Sequence, residues 1–325
     1  MKNLINKFLF STFFTLLLSF SHAKADLQVV TSIKPIHSLA SLLMDGIGAP
    51  KLIVDGSNSP HNFTLKPSHA KMLQNADLVF WVGENIETFL EKPLSTVAKK
   101  AKKIELMEIS QIKKLKFREK NIFEGHHDNH GHKKHDDHGH KKHDDHGHKK
   151  HDDHGHAHGE HDPHIWLDPL NAKAILTVMA KNMKIMDKKN SAKYDANLKK
   201  AHAKIDGLVS DINKVINKNA KYVVFHDAYQ YFEKRFGLKT LGALTVNTDV
   251  LPGAEQLKDI RKVIKKENAK CIFSEPQFNP KIIKAIAKDT NIKTGVLDPL
   301  GANLKNNKDL YFKLLNNLSN SLRKC

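Results

Sequence analysis

Cysteine is nearly absent from this chain. Cys271 and Cys325 are the two present in 325 residues, and no C-x-x-C pair occurs. The missing motif argues against catalytic use of a thiol. In an oxidising compartment an even pair reads as a disulfide, here tying the last residue to the start of an apolar strand. Two unpaired thiols are the alternative reading. Arginine is also scarce, at four of the 53 Lys and Arg residues. The formal charge of +18 is therefore mostly lysine, spread over helix faces rather than clustered with aromatics. Nucleic-acid recognition favours arginine and a compact basic patch, so no nucleic-acid partner is expected. Long apolar runs are lacking too. Phe8 to Phe20 is too short to span a bilayer, and no later segment reaches about 18 apolar residues.

What the ends do contain is informative. Residues 1–25 read as a cleaved signal peptide: Lys2 and Lys7 make a basic start, the apolar run follows, and Ala23-Lys24-Ala25 is an A-x-A cleavage pattern. Loss of Lys2, Lys7 and Lys24 lowers the charge from +18 to +15. No cysteine lies near the cleavage site, so the expectation is a soluble bacterial periplasmic protein, not a lipid-anchored one.

Histidine is the residue in excess. Fifteen of the 22 lie between His126 and His161: His126, His127, His130, His132, His135, His138, His140, His143, His146, His148, His151, His154, His156, His158 and His161. The unit HGHKKHDD occurs three times, from His130, His138 and His146. The run has nothing apolar to bury, so it predicts a disordered insertion over residues 125–161. Neutral imidazoles are good ligands for borderline metal ions, and a tetrahedral ion takes about four. The tract could thus hold roughly three or four ions, weakly and interchangeably. A terminal purification tag would be a plain histidine run; this one is internal and interleaved with Asp and Lys.

Elsewhere strands and helices alternate. Strands are expected at Leu27–Thr31, Lys51–Val54, Ala76–Gly83 and Lys103–Met107. Helices are expected at Pro35–Gly46, from Pro67-Ser68 toward Asn75, and at Ile86–Lys100. This order implies an α/β fold with a parallel sheet covered on both faces. Asn171–Met186 and Ser191–Asn217 then read as helices, the second about 40 Å long at ~1.5 Å per residue. Such a helix could be a stiff strut between two α/β units. Alternation resumes with strands at Tyr222–Phe225, Gly242–Val246, Cys271–Ser274 and Thr294–Leu297. Helices are expected at Ala228–Phe236, Ala254–Glu267, Pro280–Lys288 and Lys308–Leu322. The expected division is an N-terminal α/β lobe over 26–168, a helical segment with the linker helix over 169–218, and a C-terminal α/β lobe over 219–325.

Four residues stand out by type and place. His61 follows the strand Lys51–Val54, His164 sits where the tract re-enters the fold, and His226 and Asp298 each follow a strand directly. Ligands of open α/β sheets bind beyond the carboxyl ends of strands, so these four could converge there. Three imidazoles and a carboxylate suit a transition metal. Taken singly, a histidine after a strand is more often a structural hydrogen-bonding residue. His37 reads as packed near a helix start, and His69 and His202 as helix-surface residues.

Several phrases carry a resemblance. They are Gly56-Ser57-Asn58-Ser59-Pro60-His61, Leu65-Lys66-Pro67-Ser68, Gln74-Asn75-Ala76-Asp77-Leu78-Val79 and Asp162-Pro163-His164-Ile165-Trp166-Leu167-Asp168-Pro169. Phe225-His226-Asp227-Ala228-Tyr229, Ser274-Glu275-Pro276-Gln277 and Leu297-Asp298-Pro299-Leu300-Gly301 complete the set. From about Leu27 onward the chain resembles the cluster A-I metal-binding proteins of ABC importers, and among them the zinc-uptake, ZnuA-type branch. The resemblance implies two Rossmann-like lobes with parallel sheets, joined by one long rigid helix, with metal held between them. It implies His61, His164 and His226 as ligands, with Asp298 matching the carboxylate that is fourth ligand in manganese relatives. It also implies a His-rich insertion before the second ligand and a Cys271–Cys325 disulfide. Some relatives have an acidic residue before the first ligand, where this chain has Pro60. The fourth position is left to Asp298, water or a tract histidine. Manganese relatives commonly place Glu where this chain has His226, and imidazole in place of oxygen shifts preference toward Zn²⁺.

The implied function is capture of Zn²⁺ as transported substrate, by a periplasmic monomer, for an inner-membrane ABC permease with its cytoplasmic ATPase. A zinc hydrolase is the enzyme alternative, with Glu84, Glu87 and Glu275 as the evident candidate bases. A histidine-rich buffer without a transporter is the third reading.

Overall fold

The computed structural model describes residues 26–118, 120, 122, 160–245, 248 and 252–325. The expected signal peptide, the end of the Gly242–Val246 strand and fourteen of the fifteen tract histidines lie outside the described residues.

The N-terminal half builds β1 (Val29–Ile33), α1 (Lys34–Leu43), β2 (Lys51–Val54), α2 (Pro67–Gln74), β3 (Leu78–Trp81), α3 (Thr88–Thr96) and β4 (Lys102–Glu105). Its four strands pair in the order β2-β1-β3-β4, all parallel. Every residue of β1 and β3 is buried, because these central strands are covered on both faces. Edge strand β4 reads KKIE and is half open, its lysines guarding an otherwise unpaired edge.

Two long helices follow, α4 (Pro169–Met186) and α5 (Ser191–Val215). The C-terminal half then adds β5 (Tyr222–His226), α6 (Gln230–Phe236), β6 (Gly242–Thr245), α7 (Ala254–Lys266), β7 (Cys271–Ser274), α8 (Lys281–Thr290), β8 (Lys293–Val296) and α9 (Leu310–Arg323). Its sheet repeats the first topology, in the order β6-β5-β7-β8, again all parallel. Both sheets therefore aim their carboxyl ends into one cleft.

Most expected elements are present, with ends shifted by a few residues. Helix α5 is 25 residues long and buries Tyr194, Asn197, Ala201, Ile205, Leu208 and Ile212 at helical spacing. It is not a free strut, since α4, α1 and α9 all pack on it. The final helix α9 returns from the C-terminal half onto α1 and α5. One buried apolar cluster consequently runs from β1 and β3 through these helices to Tyr222 and Phe273. A second, smaller cluster lies on the other face of the C-terminal sheet, around Val223, Leu244, Ile272 and Ile286.

Two further features brace the C-terminal half. Cys271 and Cys325 form a disulfide with Cα atoms 5.7 Å apart, closing a sequence separation of 54 residues. In the chain-entropy account, closure of that length stabilises the fold by about 4 kcal/mol. Strand β6 is fully buried although it is an edge: α7 packs on it, and Ile122 forms an isolated bridge with Gly242. A strap of the N-terminal half thus lies on the C-terminal sheet.

Candidate metal centre

Three histidines meet in the cleft between the two sheets. One ring nitrogen from each of His61, His164 and His226 lies within 4.8 Å of the other two. Ring centroids are 5.2 Å apart for His164 and His226, 5.7 Å for His61 and His164, and 5.8 Å for His61 and His226. Each is delivered by a different element. His226 is the last residue of β5, one position nearer the sheet than the sequence suggested. His164 opens the 3-10 turn Ile165–Leu167, which leads into α4. His61 rides the loop beyond β2, where Asp55 accepts from Gly56 N–H at 2.6 Å and from Asn306 Nδ2 at 2.8 Å.

Two of the rings are held from behind by carboxylates. His164 Nδ1 lies 2.7 Å from Asp162 Oδ1, and His226 Nδ1 lies 2.7 Å from Glu275 Oε1. A carboxylate there fixes the tautomer with the proton on Nδ1 and leaves Nε2 as the lone-pair donor. The two Nε2 atoms then face each other at 3.3 Å. Both rings are buried, at 3 % and 4 % exposure, while His61 is half-buried.

The electrostatics separate the two buried rings. Burial, helped by the neighbouring His226 charge, holds His164 well below the ordinary imidazole range. Burial pulls His226 down as well, but the Glu275 carboxylate, with Asp227 and Asp162, outweighs it and the net shift is upward. Burial pushes the Asp162 carboxyl up to about 7, against the pull of the His164 N–H and the Arg118 charge. Pairing of imidazole with a carboxylate behind it and an open nitrogen in front is the usual build of a metal-ligating histidine.

The space the three rings enclose is a cavity of about 10 Å³, room for the centre of one water-sized particle. It takes a single ion. Glu275, one of the candidate general bases, is occupied in orienting His226. Glu87, another, is fully buried and accepts from Val82 N–H at 2.7 Å and Gly83 N–H at 3.3 Å.

Asp298 is not one of the three residues whose ligand atoms all lie within 4.8 Å of one another. It lies two residues past β8, and its carboxylate serves the loop that follows. Oδ1 accepts from Gln277 Nε2 at 3.0 Å, Leu300 N–H at 3.1 Å and Gly301 N–H at 2.9 Å, and Oδ2 accepts from Ala302 N–H at 2.6 Å. The turn needs Gly301 at φ +73. The loop so held offers the Pro299 carbonyl to Trp166 Nε1 at 2.8 Å, and the Ala302 and Leu304 carbonyls to Lys34 Nζ at 2.8 and 2.9 Å. Of the tract, His161 is described: it pairs with Lys116 in an antiparallel bridge at the neck of the insertion. The other named histidines are structural. His37 Nε2 meets the Pro50 carbonyl at 3.1 Å, and His202 Nε2 meets that of Lys173 at 3.1 Å.

The supporting role of Asp162 is not among the sequence expectations, whereas Glu275 suits a surface or supporting role better than that of a base. Asp162 could have been found from its place two residues before His164. Glu275 is 49 residues from His226, and no spacing links them.

Comparison with known proteins identifies the family. The sequence model of the family described as "Zinc-uptake complex component A periplasmic" matches residues 29–325. The high-affinity zinc uptake system protein of Brucella abortus is 46 % identical over 333 aligned residues, covering 100 % of this chain and 99 % of that protein. Its counterpart in Yersinia pestis is 38 % identical over 311, covering 93 % and 92 %. A crystal structure of a ZnuA protein superposes with a TM-score of 0.70 at 22 % identity, covering 91 % of this chain and 98 % of that one, which establishes a shared fold.

Proposed function

We infer, since the chain belongs to the family of periplasmic zinc-uptake components, that this protein captures Zn²⁺ in the periplasm with high affinity and hands it to an ABC permease. It is a transport component and not an enzyme. One observation carries the reading at the level of residues: three imidazoles from separate elements converge, and two of them are backed by carboxylates. Nitrogen donors in a small, buried cavity suit Zn²⁺ and disfavour the harder Mn²⁺.

The ligand set proposed is His61, His164 and His226. For the fourth position we favour water over Asp298, whose carboxylate already accepts four hydrogen bonds. Asp298 instead sets the loop that Trp166 and Lys34 grip. The described residues hold no helix long and apolar enough to cross a membrane. Residues 1–25 act as the cleaved signal peptide, and the mature chain works as a monomer beside the permease and its ATPase. It divides into lobes at 26–168 and 219–325 with helices over 169–218, the 125–161 insertion gathering zinc weakly beside His164.

Chelator competition on the mature protein tests the ligand set. Each of His61→Ala, His164→Ala and His226→Ala is expected to lower zinc affinity by orders of magnitude. Wild-type affinity in His226→Ala would remove the reading.

A further inference from the structure

The segment that enters the insertion is fastened to the helix that follows His226. Tyr231 of α6 accepts from Leu115 N–H at 3.0 Å and donates to the Asp162 carbonyl at 2.7 Å. Gln230 Nε2 donates to the Lys116 carbonyl and to Asp162 Oδ2, both at 3.1 Å. Asp162 N–H closes the neck on the Leu115 carbonyl at 2.8 Å. Arg118 completes this clasp from inside. Its Nε lies 3.3 Å from Asp227 Oδ2 and its terminal nitrogen 2.7 Å from Glu233 Oε2. The Asp227 and Glu233 side chains are 4 % and 6 % exposed, and that of Arg118 is 20 % exposed. Glu233 is held in turn by the Tyr222 hydroxyl at 3.3 Å.

We propose that Arg118 is a positioning residue for metal capture. Asp227 directly follows His226, and Asp162 lies two residues before His164. By forking onto Asp227 and Glu233, Arg118 ties the backbone beside one buried ligand to the clasp that carries the other. The 3.3 Å approach of the two Nε2 atoms is thereby set before any ion arrives. His164, though it precedes the linker helix in sequence, is a ligand of the C-terminal half in space, while His61 comes to the pair from the other sheet. A planar fork suits this task, since it orients two carboxylates on different segments where an ammonium would serve as a single point. Removing it strands two buried carboxylates, which a folded chain resolves by moving them. Groups that orient ligands typically change metal affinity by ~10–100-fold when lost. The inference rests on His164 and His226 being ligands.

The test uses the full mature chain with Arg118→Gln, Arg118→Lys, Glu233→Gln and His226→Ala. Zinc affinity is read by chelator competition, ligand geometry by the visible bands of the Co²⁺ form, and stability by thermal unfolding without metal. The expected result is about tenfold or greater weakening in Arg118→Gln with altered Co²⁺ bands. Arg118→Lys restores charge without the fork and should recover part of the affinity. Glu233→Gln, which keeps Arg118 but loosens its shorter contact, should shift both readouts the same way and decides the matter if Arg118→Gln does not fold. A lower melting temperature with wild-type affinity and wild-type Co²⁺ bands would overturn the proposal and leave the zinc site intact. Wild-type binding in His226→Ala would instead remove the ligand assignment beneath it.

Discussion

His164 Nε2 and His226 Nε2 lie 3.3 Å apart across 62 residues of chain. With an ionised carboxylate 2.7 Å from each Nδ1, the favoured tautomer carries its proton there and leaves both facing nitrogens as acceptors. Two lone pairs at that distance repel unless a cation sits between or beside them. The pair is therefore built around a positive charge, either a metal ion or a proton.

That competition has a sign. Burial lowers His226, but the Glu275, Asp227 and Asp162 carboxylates together raise it further, so in the metal-free protein the proton is held there to higher pH than on an ordinary histidine. Zinc must displace it. Proton release on binding should grow as pH falls, to about one per zinc, and affinity should start to weaken already above the ordinary imidazole value of 6.5. Calorimetry in buffers of differing ionisation enthalpy reads the proton count. No release at any pH between 5 and 8, on the order of the range where histidine titrates, would contradict this build.

Asp298→Ala should unfold more easily. Three backbone N–H groups lose their acceptor at once, at a cost of about 2–4 kcal/mol in urea unfolding. Zinc affinity should fall far less than in His226→Ala. A loss as large as that of a histidine ligand would restore Asp298 to the coordination sphere.

Glu87 makes stability pH-dependent. Burial raises its carboxyl from 4.5 to about 7, against hydrogen bonds from the Val82 and Gly83 N–H groups. Between those values the folded chain keeps a proton that the unfolded chain has released. Stability from this group is then fully present below 4.5, falls as pH rises through the window, and is level above 7. Glu87→Gln should remove that slope, changing the wild-type-to-variant gap by up to about 3 kcal/mol between its ends. Urea unfolding at a series of pH values measures it, and parallel profiles would contradict the assignment.

Much of this was legible from residue order. The β3 run is apolar throughout, and only burial on both faces suits it, so a parallel sheet could be read directly. His61, His164 and His226 stood at strand ends or at the re-entry of the tract, where α/β folds gather ligands. Asp298 had the same credentials. Sequence could not show that its carboxylate would be claimed by the N–H groups of Leu300, Gly301 and Ala302, since a loop's hydrogen bonding depends on how the loop closes. Residues 113–118 have no helical or strand period, so their crossing onto α6 left no trace. The return of α9 onto α1 is likewise a packing outcome, visible only once both apolar faces are placed.

The insertion and the histidine cluster should be separable. Deleting residues 125–159 keeps the Lys116–His161 neck, and is expected to remove weak zinc equivalents while one tight site persists. Titration read for stoichiometry distinguishes the two classes. Loss of the tight site on deletion would place it in the tract.

Zinc-edge X-ray absorption of that shortened protein, loaded with one equivalent, tests the central claim most directly. Three imidazoles at ~2.0–2.1 Å with one further oxygen are expected. A first shell dominated by oxygen, without imidazole scattering, would contradict it.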